Sequence, residues 1–365
     1  MKRLLYLLTL ATVIAACSSE PGYVIKGDIE GSDQELFYLH RVVDGRIVAI
    51  DSAVSKKGSF KMKGVIDYPD LVQLVAMDNG GRINFYLENT EITLSGNIDS
   101  LEVSKISGSK THDEYQSLID ASKEFNEQAI NINTEYQMAR QTNNEAKMAL
   151  LEKEIVALED QMITMQKDFV KNNPSSYVAP AVLRSISYYM EGDEIADIIS
   201  AMDADMAKLP IVKELDAMAT ALKAVSIGQK APDFTMNDVD GNPVSLSSKI
   251  GSKLLLLDFW AGWCNPCRLE NPNLVKIYKQ FNKKGFDIFG VSLDQEKDSW
   301  VKAIADDKLT WTHVSDLQYW NNSAAKLYSI RAIPANFLLD ESGTIIARNL
   351  RGDELLNKVQ EVLGQ

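Results

Sequence analysis

The stretch Lys253-Leu-Leu-Leu-Leu-Asp258-Phe-Trp260-Ala-Gly-Trp263-Cys264-Asn-Pro266-Cys267 decides how the chain is read. Its first half is a continuous apolar run of strand length, as in a strand buried on both faces, broken only by Asp258. Its second half leads into a helical pattern from Pro266 to Lys283. Cys264 therefore falls at a helix N-terminus, where unpaired N–H groups and the macrodipole favour a thiolate over a thiol. Pro266 falls in the first turn, where a missing N–H costs nothing and the fixed φ suits the helix. Cys267, three residues on, is shielded and close enough to attack the outer sulfur. The chemistry that follows is exchange: a Cys264 thiolate attacks a disulfide, and Cys267 resolves the mixed disulfide.

Other uses of a cysteine pair fit less well. A zinc site needs two further ligands, and the chain holds no second cysteine pair or histidine cluster. Haem attachment needs histidine after the second cysteine, where Arg268 stands. A peroxidatic cysteine needs threonine and proline just upstream, whereas the residues before Cys264 are aromatic and small. A structural staple across so short a loop contributes little loop entropy.

Around this core, strands and helices alternate. Strands are predicted at Phe286–Leu293, Trp311–Ser315, Asn336–Asp340 and Thr344–Ala347, with helices at Glu296–Asp306, Ser323–Tyr328 and Arg351–Leu363. Such alternation ending in a hairpin implies a central sheet with helices on both faces. This α/β domain is expected to occupy residues 226–365.

Upstream the period changes. Tyr115, Leu118, Ser122, Phe125, Ala129, Ile132, Tyr136 and Ala139, then Met148, Leu151, Ile155, Leu158, Met162, Met165 and Phe169, recur at spacings of three and four. Two such stripes joined by the polar Gln141–Glu145 read as an antiparallel helical hairpin, packing on itself and its neighbours, within a helical region at 109–225. Residues 23–108 show short alternating runs (Glu35–His40, Ser59–Lys63, Leu71–Ala76, Arg82–Leu87, Glu91–Leu94) broken by Asp44-Gly45, Lys57-Gly58 and Gly80-Gly81. They imply a small antiparallel β-sandwich-like domain. His40 in it reads as a satisfied strand residue.

At the amino terminus, Lys2 and Arg3 precede the apolar run Leu4–Ala16. A run of about a dozen residues is too short to span a bilayer and reads as a secretory signal. Ile14-Ala15-Ala16-Cys17 resembles a bacterial lipobox, so residues 1–17 are expected to be a signal peptide with Cys17 the lipidated residue, followed by a tether at 18–22. The expected location is the cell envelope, anchored to a membrane by lipid and facing the periplasm. The three cysteines then become one anchor and one pair. The net charge of -13 and pI of 4.9 repel phosphate backbones, so nucleic acid is not an expected partner.

Asp258-Phe-Trp-Ala-x-Trp-Cys264-x-Pro-Cys267 resembles the active-site strand and turn of thioredoxins. Pro272 matches that family's helix-kinking proline, and Ile333-Pro334 before a strand resembles its cis-proline. The longer spacing from cysteines to proline, with Val291-Ser-Leu-Asp294 and an inserted helix, resembles the TlpA/ResA-like branch of anchored extracytoplasmic thioredoxins. The resemblance spans about Ile227 to Leu363, with a looser likeness upstream to multidomain TlpA-like lipoproteins. It implies a thioredoxin fold and reduction of protein disulfides, with no cofactor or metal. It also implies electrons from a membrane thiol donor, with apocytochrome c cysteines among the candidate targets.

Two carboxylates need weighing. A charge at Asp258 is costly unless its pKa rises and it carries a proton. The resemblance makes it the acid–base group for Cys267; the alternative is an acid tolerated near a strand end. Glu270 shares a helix face with Cys267 and matches a proton-transfer glutamate of the ResA-like branch. It reads equally as an exposed acid paired with a lysine. Trp263 and the Ile333 backbone, presented by Pro334, are the expected substrate contacts, with Trp260 packed near the sulfurs.

Overall fold

The computed structural model describes residues 22–43 and 45–364; the expected signal peptide and the lipidation at Cys17 lie outside them. The chain divides into two compact units, one reaching Met162 and including Ser176–Val178, the other comprising Ile163–Ser175 and the chain from Ala179 onward.

The first unit opens with β1 (Tyr23–Glu30), β2 (Leu36–Val43), β3 (Arg46–Val54), β4 (Ser59–Gly64), β5 (Asp70–Ala76), β6 (Arg82–Leu87), β7 (Glu91–Asn97) and β8 (Lys105–Ser107). They form two four-stranded sheets, β4-β1-β7-β8 and β3-β2-β5-β6. Alternate residues turn inward, and Ile25, Phe37, Leu39, Phe60, Leu74, Phe85 and Leu94 share one core. The sandwich is not wholly antiparallel: β1 pairs with β7 in parallel, joining the first and last long strands of the domain. Strands β1, β3 and β8 escape the sequence pattern. In β3 most positions face solvent, with Ile47 71% exposed, so no alternation marks it. Lys57 and Gly58 both have positive φ, as a two-residue type I′ connection requires.

The helical hairpin is formed by α1 (Lys110–Gln141) and α2 (Glu145–Asn172). The Ser109 hydroxyl caps α1 by accepting the His112 N–H at 3.0 Å. Leu118, Ala139, Leu151 and Leu158 of the expected stripes are buried. The Tyr136 hydroxyl donates to Glu152 at 3.0 Å, and Lys147 pairs with Glu135 at 2.8 Å. Helix α2 passes from one unit into the other after Met162.

The second unit continues with α3 (Ala179–Ile186), α4 (Gly192–Ala201) and α5 (Pro210–Ala224). It then alternates β9 (Thr235–Asp238), β10 (Pro243–Ser245), β11 (Leu254–Trp260), α6 (Asn265–Phe281), β12 (Phe286–Ser292), α7 (Lys297–Asp307), β13 (Thr312–Ser315), α8 (Ser323–Leu327), β14 (Ala335–Asp340), β15 (Ile345–Arg348) and α9 (Gly352–Leu363). The seven strands order β10-β9-β13-β12-β11-β14-β15, with β13, β12 and β11 parallel and the remaining pairs antiparallel. This is the thioredoxin-like mixed sheet, extended by an edge hairpin, β9–β10, that the sequence pattern does not reveal. All seven residues of β11 are buried; burying one such Leu or Phe side chain is worth roughly 1.5–3 kcal/mol. The strand ends where the Ala261–Cys264 turn begins, so a strand buried along its whole length leads directly into the cysteines. No helix among the described residues is long and apolar enough to cross a membrane.

Candidate active site

Cys264 is the N-cap of α6, and its Sγ accepts the Cys267 N–H at 3.2 Å. The two cysteines form a disulfide and are 4% and 1% exposed, so attack from outside reaches Cys264 first. The N-terminal pole of a 17-residue helix faces the Cys264 sulfur. Its partial charge of about +0.5 favours the thiolate when the pair is reduced.

The turn carrying Cys264 is held at Gly262 from two directions. The Gly262 N–H donates to the Asp294 carboxylate, at 2.9 and 3.2 Å to its two oxygens, and Asp294 also accepts from the Ser292 hydroxyl at 2.7 Å. The Gly262 carbonyl accepts from Arg268 Nη1 at 3.2 Å. Arg268 is itself gripped by the forked carboxylate of Asp307, which also accepts from Asn271 at 2.6 Å. A Cβ at position 262 would lie 2.9 Å from the Ala303 Cβ of α7, so the backbone approaches that helix as closely as a glycine permits.

The Ile333–Pro334 peptide bond is cis, as the thioredoxin resemblance implied. Cys264 Sγ lies 3.7 Å from the Ile333 carbonyl oxygen, so the backbone of this loop stands beside the reactive sulfur. The Pro334 carbonyl accepts from Arg351 Nη2 at 2.6 Å.

Asp258 is 4% exposed and stands in register with Gly290 and Asn336 on the flanking strands. It shares a crevice with Cys267, Glu270, Pro334, Asn336 and Arg351. Burial raises its pKa from 3.8 to about 7, the negative charge of Glu270 adds to the rise, and Arg351 works against it. Near neutrality this carboxyl is divided between its two protonation states, as a proton carrier requires.

Glu270 is only partly exposed and has no lysine partner among the described residues. Its Oε1 accepts the Gly352 N–H at 2.9 Å, at the start of α9, and the Asn273 side-chain amide at 2.8 Å. The expectation of a lysine-paired surface acid therefore fails. The groups nearest this oxygen are N–H donors, one belonging to a helix terminus.

Trp263 is 47% exposed, donates its indole N–H to the Leu293 carbonyl at 3.3 Å, and clusters with Tyr319 and Trp320 at centroid distances of 5.1 and 6.1 Å. Trp260 is buried against His313 at 5.3 Å. Burial alone pushes the His313 pKa down to about 3, so the ring is neutral. His40 lies in β2, stacked on Tyr38. No cluster of potential metal ligands occurs among the described residues.

Sequence reasoning brought Cys264, Cys267, Asp258, Glu270, Ile333 and Pro334 to one place. It passed over Arg351, Asp294, Arg268 and Asn336. A charged residue at the mouth of the last helix was the one signal for Arg351, and many surface arginines look alike in sequence.

Comparison with known proteins finds two separate matches. Residues 227–348 match the AhpC/TSA family, and residues 23–115 match a domain of unknown function, DUF4369. "Thiol-disulfide oxidoreductase ResA" of Geobacillus kaustophilus is 33% identical over 126 residues, which is 34% of this chain and 70% of that protein. "Thioredoxin-like protein YneN" of Bacillus subtilis is 34% identical over 120 residues, 32% of this chain and 68% of its own. Among solved structures, the thioredoxin domain of a thiol-disulfide oxidoreductase from Bacteroides vulgatus is 40% identical, covering 38% of this chain and 98% of that one, with a TM-score of 0.36.

Proposed function

Because the chain belongs, through its carboxy-terminal domain, to the ResA-like family of thioredoxin-fold thiol–disulfide oxidoreductases, we propose that it is a lipid-anchored reductant of protein disulfides facing the periplasm. Its Cys264–Cys267 pair is a redox-active Cys-x-x-Cys disulfide, and the protein is a protein disulfide oxidoreductase.

The cycle starts from the dithiol. The Cys264 thiolate attacks one sulfur of the substrate disulfide; that bond breaks, a mixed disulfide forms, and the first substrate thiolate leaves and takes a proton. Cys267 gives its proton to the Asp258 carboxylate and attacks Cys264 Sγ, expelling the second substrate thiolate, which Asp258 protonates. Two electrons and two protons have moved to the substrate, leaving the Cys264–Cys267 disulfide. A membrane thiol donor returns the electrons. The direction of flow depends on small differences, since 30 mV is about 1.4 kcal/mol for a two-electron couple.

One observation carries the reading: a cysteine pair at the mouth of α6, with the Ile333 carbonyl on its open side and a buried carboxyl of raised pKa behind. The anchoring and location rest on residues 2–17. Cys267→Ser expressed in the periplasm should accumulate mixed disulfides through Cys264. Recovery of no more than a double-cysteine variant yields would refute a protein substrate. Cys17→Ala should release the protein from the membrane fraction, and retention there would refute the lipid anchor. A thiol peroxidase is the second reading, because Ala231-Pro232-Asp233-Phe234 resembles the opening of peroxiredoxins and residues 227–348 match the AhpC/TSA family; peroxide turnover with a sulfenate at Cys264 would support it instead.

A further inference from the structure

Beside the crevice of the disulfide lies a second pocket of the same unit, about 290 Å³ in volume, and Pro334 and Arg351 line both. The loop before the cis bond runs along it from Ser329 to Pro334, and Tyr188, just beyond α3, contributes an aromatic ring. Three arginines enter its wall: Arg331, Arg348 and Arg351.

Their partners differ in a way that matters. Arg348 is neutralised, its two Nη atoms on the Glu191 carboxylate at 3.1 and 3.3 Å. Arg331 is held by neutral groups alone: Nη1 donates to the Ser187 hydroxyl at 3.0 Å and Nη2 to the Ser187 carbonyl at 2.9 Å. Its guanidinium lies 5.6 Å over the Tyr188 ring. Arg351 donates to the Pro334 carbonyl. Among the described residues, neither Arg331 nor Arg351 forms a salt bridge with a carboxylate. A guanidinium offers five N–H donors, so both keep donors to spare. Arg331, fixed in orientation with no carboxylate partner in a chain of net charge -13, makes a site prepared for an anion, with Arg351, which also faces the Asp258 crevice, on the adjoining wall.

We propose that this pocket is a carboxylate subsite for the disulfide substrate, receiving an acidic side chain of the polypeptide segment that carries the reacting cysteine. This rests on the functional reading above. The offset along the loop sets the spacing. A substrate strand lying along Ile333 brings its sulfur to Cys264, and Arg331 precedes Ile333 by two residues on the same loop. We therefore place the acid two positions from the substrate cysteine, a separation of about 7 Å in an extended substrate segment. General attraction would not produce this preference, because the whole protein repels acidic peptides.

The test uses the full chain, reduced beforehand, and three peptide disulfides. One carries Glu two positions from the cysteine, one Gln at that position, and one Glu moved six positions away. The rate of oxidation of the protein is followed by tryptophan fluorescence. The first peptide should react about tenfold faster than the other two, the worth of one charge-assisted contact partly open to water. Inorganic phosphate should remove that advantage by competing for the guanidinium groups. Arg331→Gln should bring the first ratio close to one, and Arg331→Lys should keep part of it. Equal rates for all three peptides overturn the subsite while leaving the oxidoreductase intact; no reaction with any of them overturns the oxidoreductase. Should Arg331→Gln not fold, the peptide ratio and phosphate competition in the unmodified protein decide the matter alone.

Discussion

Replacing Asp258 with asparagine should change how the second unit's stability depends on pH, and the structure gives the size of the change. The carboxyl loses its proton near 3.8 in the unfolded chain and near 7 in the folded one, because burial, reinforced by Glu270, disfavours its charge. Below the lower value both states are protonated and the residue contributes no slope. Between the two, the folded state holds a proton that the unfolded state lacks, so stability falls by about 1.4 kcal/mol for each unit of rising pH. Above the folded value both are ionised and the loss is complete, on the order of 4 kcal/mol in all. Asparagine does not titrate. Whatever it does to packing is a constant offset, absent from the pH dependence.

All five tryptophans, Trp260, Trp263, Trp300, Trp311 and Trp320, lie in the second unit, so their fluorescence follows its unfolding alone. Urea unfolding of the oxidised protein and of Asp258→Asn, repeated between about pH 4 and pH 8, gives the difference in stability at each step. That difference should move by about 4 kcal/mol in favour of the variant as pH rises. A difference constant to within about 1 kcal/mol across that range would refute the raised pKa, and with it the assignment of Asp258 as the proton carrier.

Three further outcomes follow from single contacts. Glu270→Gln keeps an oxygen for the Gly352 N–H but removes the charge that helps raise Asp258, so the inflection in the stability profile should move to lower pH; an unmoved inflection would contradict the coupling. Asp294→Ala strips the acceptor from the Gly262 N–H and the Ser292 hydroxyl and should cost about 1–3 kcal/mol in urea unfolding, with slower exchange at Cys264; wild-type stability and rate would show that the turn does not need it. Gly290→Ala would put a Cβ 2.4 Å from the buried His313 Nδ1 and should destabilise by about 1–3 kcal/mol; an unchanged unfolding midpoint would mean that the ring yields freely.

What could be read in the sequence was what neighbouring residues determine together. Cys264, Pro266 and Cys267 declare a reactive helix start because strand, turn and helix follow one another without a gap. Asp258 shows itself as the one charge in an apolar run. The hairpin is legible because its stripes persist over some eight turns. Illegible elements were short, edge-placed or exposed on both sides: β3 has hardly any inward face, β8 is three residues long, and β9 and β10 form an edge hairpin. The parallel pairing of β1 with β7 joins residues more than sixty positions apart, and no local pattern encodes it. The site divides in the same way. Arg351 reaches the Pro334 carbonyl and Glu270 reaches the Gly352 N–H only because α6, α9 and the cis-proline loop converge in space.

That convergence explains how two acids in one crevice take different work. Glu270 spends an oxygen on the first N–H of α9 and on Asn273. Asp258 sits deeper on a strand that admits no other charge, and Glu270's negative charge adds to the cost of ionising it. Glu270 thereby helps hold the Asp258 carboxyl near the point of exchange. Arg351 provides the opposing pull, and it also lines the pocket proposed for a substrate carboxylate. An anion seated on Arg351 would offset that pull and raise the proton affinity of Asp258 while the substrate is bound. The base would then accept the Cys267 proton more readily in the mixed disulfide than in the resting enzyme. The pH profile of resolution should shift upward for an acidic substrate relative to its neutral twin, and a profile identical for both would separate the pocket from the proton.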